Sequence, residues 1–257
     1  MSVRQPFAGA VGQHFLRSSR LATALVADAD FSRGVLVVEI GGGPGVLTQA
    51  LADVASAVTV VERDPAMVCR LRERFSRLPH VHIVEGDATA FSWPTEDFSV
   101  LANLPFARSG AILSHLLGDP SVPLRRADVI VQWEFAEKHA AVWPSTLRSI
   151  YWRAWFDVSI ERRLARAAFS PVPSVDAALL RFERRLQPRV PHSQHDAYWQ
   201  FLSKAFESRQ PIRRALAGSL SSLQIKRLAP TLGFAPDCRP WDLDANQWTS
   251  LFAFARR

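Results

Sequence analysis

Residues 34–45 constrain this chain more than any other stretch. They read GVLVVEIGGGPG, an aliphatic run that ends in an acid and then in a turn dense with glycine. A β-branched run without polar alternation is a strand buried on both faces, the kind that parallel sheets contain. The unit recurs along the first half. Residues 57–61 (AVTVV) end at Glu62, 81–84 (VHIV) run into GDA, and 99–102 (SVLA) run into NLPF. Between them, residues 46–54 and 63–77 have helical spacing, with Met67, Leu71 and Phe75 on one face of the second. Strands and helices alternating at intervals of roughly 20–25 residues predict a doubly wound α/β sheet. Such folds bind ligands at the carboxyl ends of their strands. GGGPG, Glu62, Asp87 and Asn103 each close a strand there.

Further along, the pattern predicts a helix over 109–117, a strand over 127–132 (ADVIVQ) and a helix over 134–139. Residues 151–156 (YWRAWF) read only as aromatic-rich, and Trp133, Trp143, Trp152 and Trp155 read as packing residues rather than base platforms. Pro171 and Pro173 bracket a loop before a late strand over 177–182. Residues 187–194 (QPRVPHSQ) read as a linker, followed by short amphipathic helices over 198–206, 212–220, 222–229 and 246–254. The division predicted is an α/β domain over 1–186 and a small helical domain over 187–257.

Composition bounds the function. No apolar run approaches the roughly 20 residues of a membrane span, and the polar start, MSVRQPFAGAVGQHF, has no signal-peptide core, so a cytoplasmic protein is expected. Cys69 and Cys238 alone signal neither a disulfide framework nor a zinc site. The net charge of +7 is uneven: residues 41–124 hold 6 basic against 9 acidic side chains, whereas 125–189 hold 12 against 7 and 190–257 hold 9 against 5. Of the 31 cations, 28 are arginine, whose planar fork suits phosphate and base stacking. The basic second half predicts a polyanionic partner. Arg108, Arg125, Arg126, Arg148, Arg162, Arg163, Arg166, Arg209, Arg213 and Arg214 are its candidate contacts.

The glycine turn is not the dinucleotide fingerprint. GxGxxG would need glycine at 46, where Val46 stands; the pattern is ExGxGxG, from Glu39 through Gly41, Gly43 and Gly45. This is the form used where no pyrophosphate has to be cradled, as in S-adenosylmethionine sites. Glu62 can accept hydrogen bonds from both ribose hydroxyls, and Asp87 from an adenine amine. NLPF carries the reactive chemistry. An exocyclic adenine amine is nucleophilic only once its lone pair leaves conjugation with the ring. The Asn103 side-chain oxygen and the Leu104 carbonyl can each accept one N–H and favour that geometry. Pro105 stiffens the turn, and Phe106 offers a face for the base and for developing positive charge. Catalysis of this kind is positioning and electrostatics.

Four motifs in order then resemble the ribosomal RNA adenine N6-methyltransferases that include the Erm macrolide-resistance enzymes and the KsgA type. They are GQHFL at 12–16, VEIGGGPGVLT at 38–48, NLPF at 103–106 and FSPVPSVDAALL at 169–180. The resemblance implies a Rossmann-like class I S-adenosylmethionine-dependent methyltransferase domain with a small C-terminal helical, RNA-binding domain. It implies cofactor contacts from Gln13, His14, Leu16, Gly41, Gly43, Glu62, Asp87, Ala88 and Asn103, no metal, and a monomer. Asn103, Leu104, Pro105 and Phe106 would form the catalytic set, with Phe169 facing Phe106 across the target base. His14 stands where the family usually has asparagine, and Phe106 where tyrosine is also common.

Within the family, VQWEFAEK at 131–138 resembles Erm enzymes of actinomycete type more than the QKEVA pattern of the KsgA branch. The Erm branch implies 23S rRNA as partner, with one adenine methylated at the macrolide site of the exit tunnel. The KsgA branch implies two adjacent adenines in a small-subunit hairpin. Two other classes compete on the same residues. A nicotinamide-dependent oxidoreductase is disfavoured by Val46, and a non-catalytic RNA-binding factor by the intact cofactor and NLPF residues.

Overall fold

The computed structural model describes residues 13–31 and 34–256. Gly12, the first residue of GQHFL, lies outside them. A two-residue strand β1 (Phe15–Leu16) leads into α1 (Ser19–Ala29), whose first turn is capped by the Ser18 hydroxyl accepting from the Leu21 N–H. There follow β2 (Leu36–Ile40), α2 (Val46–Ala52), β3 (Ala57–Glu62), α3 (Pro65–Arg74), β4 (Val81–Glu85) and β5 (Phe98–Asn103). Asp64 caps α3 and Pro65 opens it, so the helix starts directly after the strand-end acid. Then come α4 (Ser109–Leu116), β6 (Leu124–Gln132), α5 (Trp133–Ala140), α6 (Leu147–Trp152), β7 (Phe156–Leu164), β8 (Phe169–Ser170) and β9 (Ala177–Arg184). The chain ends in α7 (His195–Ser208), α8 (Ile212–Ala215), α9 (Ser222–Leu232) and α10 (Ala245–Ala255).

Seven strands form one sheet in the order β4-β3-β2-β5-β6-β9-β7. From β4 to β6 the pairings are parallel, and β9 runs antiparallel to both β6 and β7. Strand order reverses between β2 and β5, which opens a crevice at their carboxyl ends. Successive residues point to opposite faces. Val37, Val58, Leu101 and Ile130 therefore pack with Leu25, Leu51 and Leu71 of α1, α2 and α3. Val38, Val61, Val100 and Val129 pack on the other face with Leu113 of α4 and Trp152 of α6. That second cluster continues through Tyr198, Leu202 and Trp248 of the C-terminal helices.

The parallel half follows the sequence reading closely, and the later half departs from it. The aromatic-rich stretch splits: Trp152 ends α6 and Phe156 starts β7. Strand β7 alternates buried and outward residues only as far as a register shift between Ile160 and Arg162, after which half-buried Arg162 and exposed Arg163 stand side by side and break the sequence pattern. Helix α1 was not anticipated, and α8 ends at Ala215, short of residue 220. Trp152 and Trp155 are buried as expected, whereas Trp143 is 59% exposed. Among the described residues, no helix is long and apolar enough to cross a membrane.

Candidate active site

A cavity of about 490 Å³ opens where β2, β3, β4 and β5 end, within the roughly 300–1,000 Å³ of small-molecule and cofactor sites. Gln13, His14, Gly41, Glu62, Asp87, Ala88, Asn103, Leu104 and Pro105 all line it. Of the glycine turn, Gly41 lines it. Gly43 has φ +50°, and a Cβ there would lie 2.6 Å from the Phe15 ring. A side chain at 43 is thus opposed twice, by backbone conformation and by a packed aromatic.

Three carboxylates at this end of the sheet are held differently. Glu62 is 5% exposed; its Oε2 accepts from the Gly43 N–H at 2.9 Å, and its Oε1 from the N–H groups of Arg63 at 2.8 Å and Asp64 at 2.9 Å. Backbone donors alone orient it, and Oε2 keeps acceptor capacity toward the cavity. Glu39, inside β2, is 1% exposed and receives the Thr48 hydroxyl at 2.6 Å. Burial pushes its carboxyl up to about 8, against the Thr48 hydrogen bond and with help from the Glu62 charge. Asp87 is pulled down to about 2, chiefly by the Thr89 N–H and hydroxyl, then by Arg108. Its Oδ2 receives Arg108 Nη2 at 2.8 Å.

The NLPF turn stands across the crevice. Asn103 is the last residue of β5, and its Nδ2 donates to the His14 carbonyl at 2.7 Å. That bond fixes which way the amide points. Among the described residues its buried Oδ1 has no partner, a costly state that favours arrival of a donor. The Leu104 N–H donates to the Ile130 carbonyl, and the Ser109 hydroxyl holds the Pro105 carbonyl at 3.2 Å. Phe106 is half-buried beneath the His14 ring, with centroids 5.4 Å apart. His14 Nδ1 lies 2.8 Å from the Pro171 carbonyl, which can only accept, so Nδ1 carries the proton. Leu16 pairs with Phe169 across β1 and β8, which ties the N-terminal motif to FSPVPS.

Several predicted residues are placed otherwise than the sequence reading had them. Phe169 has no exposed surface, and its ring meets Phe106 edge-on at 6.3 Å and 71°. The two rings touch each other here and do not face across an open slot, because the β1–β8 pairing draws Phe169 into the core. Leu16 is 5% exposed and borders a small space under the glycine turn, apart from the main cavity. Gly43 also lies outside the lining and packs on Phe15.

Among the arginines, Arg126 has only 16% of its side chain exposed and, with Arg181, neutralises the fully buried Asp128. It is a structural ion pair and no free RNA contact. Arg108, Arg125, Arg162, Arg163 and Arg213 are likewise paired, with Asp87, Asp97, Asp28, Asp176 and Asp237. Tertiary partners of this kind leave no local signal. The sequence reading also missed Phe15, Arg63, Asp64 and Ile112 as lining residues. Arg63 and Asp64 follow Glu62 directly, and that adjacency was the available signal.

Comparison with known proteins accords with this geometry. Residues 7–255 match the family model described as ribosomal RNA adenine dimethylase. An rRNA adenine N-6-methyltransferase of Bacillus licheniformis is 28% identical over 94% of this chain and 84% of its own. A ribosomal RNA small subunit methyltransferase A of Synechococcus sp. is 32% identical over 93% of this chain and 89% of its own. The crystal structure of the 23S rRNA methyltransferase ErmE superposes with a TM-score of 0.81 at 25% identity, covering 95% of this chain and 100% of that one. A family match over nearly the whole chain, on a sheet whose crevice ends in ExGxGxG and NLPF, places the protein in the ribosomal RNA adenine dimethylase family, as an rRNA adenine N6-methyltransferase.

Proposed function

We propose that this chain, acting as a monomer in the cytoplasm, transfers methyl from S-adenosylmethionine to N6 of one adenine in 23S rRNA at the macrolide site of the exit tunnel. The consequence is resistance to macrolides, lincosamides and streptogramins. The observation that carries the chemistry is the buried Oδ1 of Asn103, a residue that lines the cavity, which has no partner among the described residues.

S-Adenosylmethionine fits the residues present. Glu62 Oε2 keeps acceptor capacity for ribose hydroxyls, Asp87 offers Oδ2 to a purine amine, and Gln13, which lines the same cavity and whose Oε1 has no partner among the described residues, can take an ammonium group. When bound, the cofactor supplies an electrophilic methyl on a cationic sulfur. Asn103 Oδ1 accepts one N–H of the target amine and the Leu104 carbonyl the other, which turns the nitrogen lone pair out of the ring plane. Phe106 stacks on the extruded base and stabilises developing positive charge. Because Phe106 and Phe169 touch edge-on, a base enters only after Phe106 swings from that contact. Most of the catalytic effect is positioning. The helical segment 187–257 serves as the RNA-binding domain.

The choice of 23S rRNA rests on VQWEFAEK at 131–138 and on the likeness to ErmE along the whole chain. Expression in a macrolide-sensitive host, followed by primer extension and mass spectrometry of both rRNAs, tests it. One modified large-subunit adenine with raised macrolide tolerance is expected. A modified small-subunit hairpin beside an untouched tunnel adenine overturns the choice of target.

A further inference from the structure

Arg108 lies two residues beyond Phe106, on the same single 3-10 turn, Phe106–Arg108. Its Nη2 donates to Asp87 Oδ1 at 3.1 Å and Oδ2 at 2.8 Å, and approaches the Thr89 hydroxyl at 3.3 Å. Arg108 and Asp87 both line the cavity. One guanidinium thus joins the turn that carries the base-stacking ring to the loop after β4. Asp87 Oδ1 is already occupied by the Thr89 N–H at 2.9 Å and hydroxyl at 2.8 Å, so a further donor finds acceptor capacity only on Oδ2, beside Arg108. Among the described residues, Arg108 Nη1 and Nε have no hydrogen-bond partner, which leaves those donors and the planar face for a ligand in the cavity.

From this juxtaposition we propose that Arg108 is a positioning residue that couples the cofactor pocket to the target-base turn, so that filling either site favours filling the other. The inference rests on the assignment of the cavity to the methyl donor. A purine settling at Asp87 Oδ2 lies against the guanidinium and holds it, and the turn bearing Phe106 is held with it. A base stacked on Phe106 fixes the same turn, and through Arg108 the Asp87 loop. The first ligand orders what the second requires, which is positive coupling. It acts equally in both directions.

The test is calorimetric titration of the full chain with S-adenosylhomocysteine, alone and with a saturating transcript of whichever rRNA the wild type methylates. In the wild type, RNA is expected to tighten cofactor binding by at least about fivefold, the lower end of ordinary coupling. Arg108→Leu is expected to bring that ratio to about one, and Arg108→Lys to recover part of it, because an ammonium can still bridge to Asp87. A thermal melt followed by circular dichroism checks that the variants fold, and Arg108→Gln replaces Arg108→Leu should the latter not. A merely structural role lowers the melt and leaves the ratio intact. The proposal is overturned by no coupling in the wild type, or by wild-type coupling in the folded Leu or Gln variant. Absence of cofactor binding by the wild type overturns the prior assignment of the cavity instead.

Discussion

The two sides of the crevice are built from different materials. On the cofactor side, backbone does the work: three N–H groups aim Glu62, and glycines at positive φ bring the chain under the cavity. On the target-base side, side chains do it. Asn103 is oriented by a carbonyl of an N-terminal segment 89 residues away, Phe106 leans on His14, and Phe169 is buried by a two-residue strand pair. Backbone networks on a seven-stranded sheet are complete before any ligand arrives. On the base side the Phe106 and Phe169 rings close on each other, and among the described residues Asn103 Oδ1 has no partner. On the proposed function the difference suits the two ligands: a small cofactor would enter a formed pocket, and a target base would have to part the two rings.

The largest effect expected from this contrast is on stability. Phe169→Ala removes a fully buried ring and is expected to cost about 3–5 kcal/mol in urea unfolding. A Phe169→Ala protein as stable as the wild type would show that this ring is no core residue, and the account of the closed base side would fail. Next comes Asn103→Ala, expected to lower methyl transfer by about 10²–10³-fold, as for loss of one preorganised polar partner of a transition state. RNA affinity should fall far less; gel-shift and single-turnover measurements that drop together would contradict the role given to Oδ1. Smaller again is Phe106→Ala. Loss of one base stack is worth about 1–3 kcal/mol in RNA binding, and because Phe106 is only half-buried the unfolding midpoint should move much less than for Phe169→Ala.

The same contrast explains what the sequence could reveal. Glu62, Asp87 and Asn103 were legible because each ends an aliphatic strand, and strand ends share one rim of a parallel sheet whatever else the chain does. The edge-on meeting of Phe106 and Phe169 was not, because it depends on β1 pairing with β8 across more than half the chain. Nor was the burial of Arg126, whose partner Asp128 sits two residues away on the same strand but is oriented by Arg181 from β9. Periodicity reports a local frame. Contacts made by short strands and by charged side chains between distant elements have no period, and strand β7 leaves no clear one because its register shifts before Arg162 and Arg163.

The last prediction probes the cofactor side, and it concerns Glu39. Burial raises this carboxyl from 4.5 to about 8, so the native protein holds its proton over a range in which the unfolded chain has released it. At this site the native state then binds more protons, and the contribution of Glu39 to stability falls as pH rises from about 4.5 to about 8, levelling above that. The slope is at most about 1.4 kcal/mol per pH unit. Glu39→Gln keeps an acceptor for the Thr48 hydroxyl and removes this titration, so the wild type should lose stability relative to the variant as pH rises across that window, whereas buried His139, lowered to about 4, contributes alike to both. Asp87 does not interfere, because its carboxyl is lowered from 3.8 to about 2 and its contribution is lost only as pH falls through that acidic range. Urea midpoints at successive pH values for wild type and Glu39→Gln decide the matter. Parallel profiles would mean that Glu39 is ionised beneath the glycine turn, and that a charge the cavity has to accommodate lies beside Glu62.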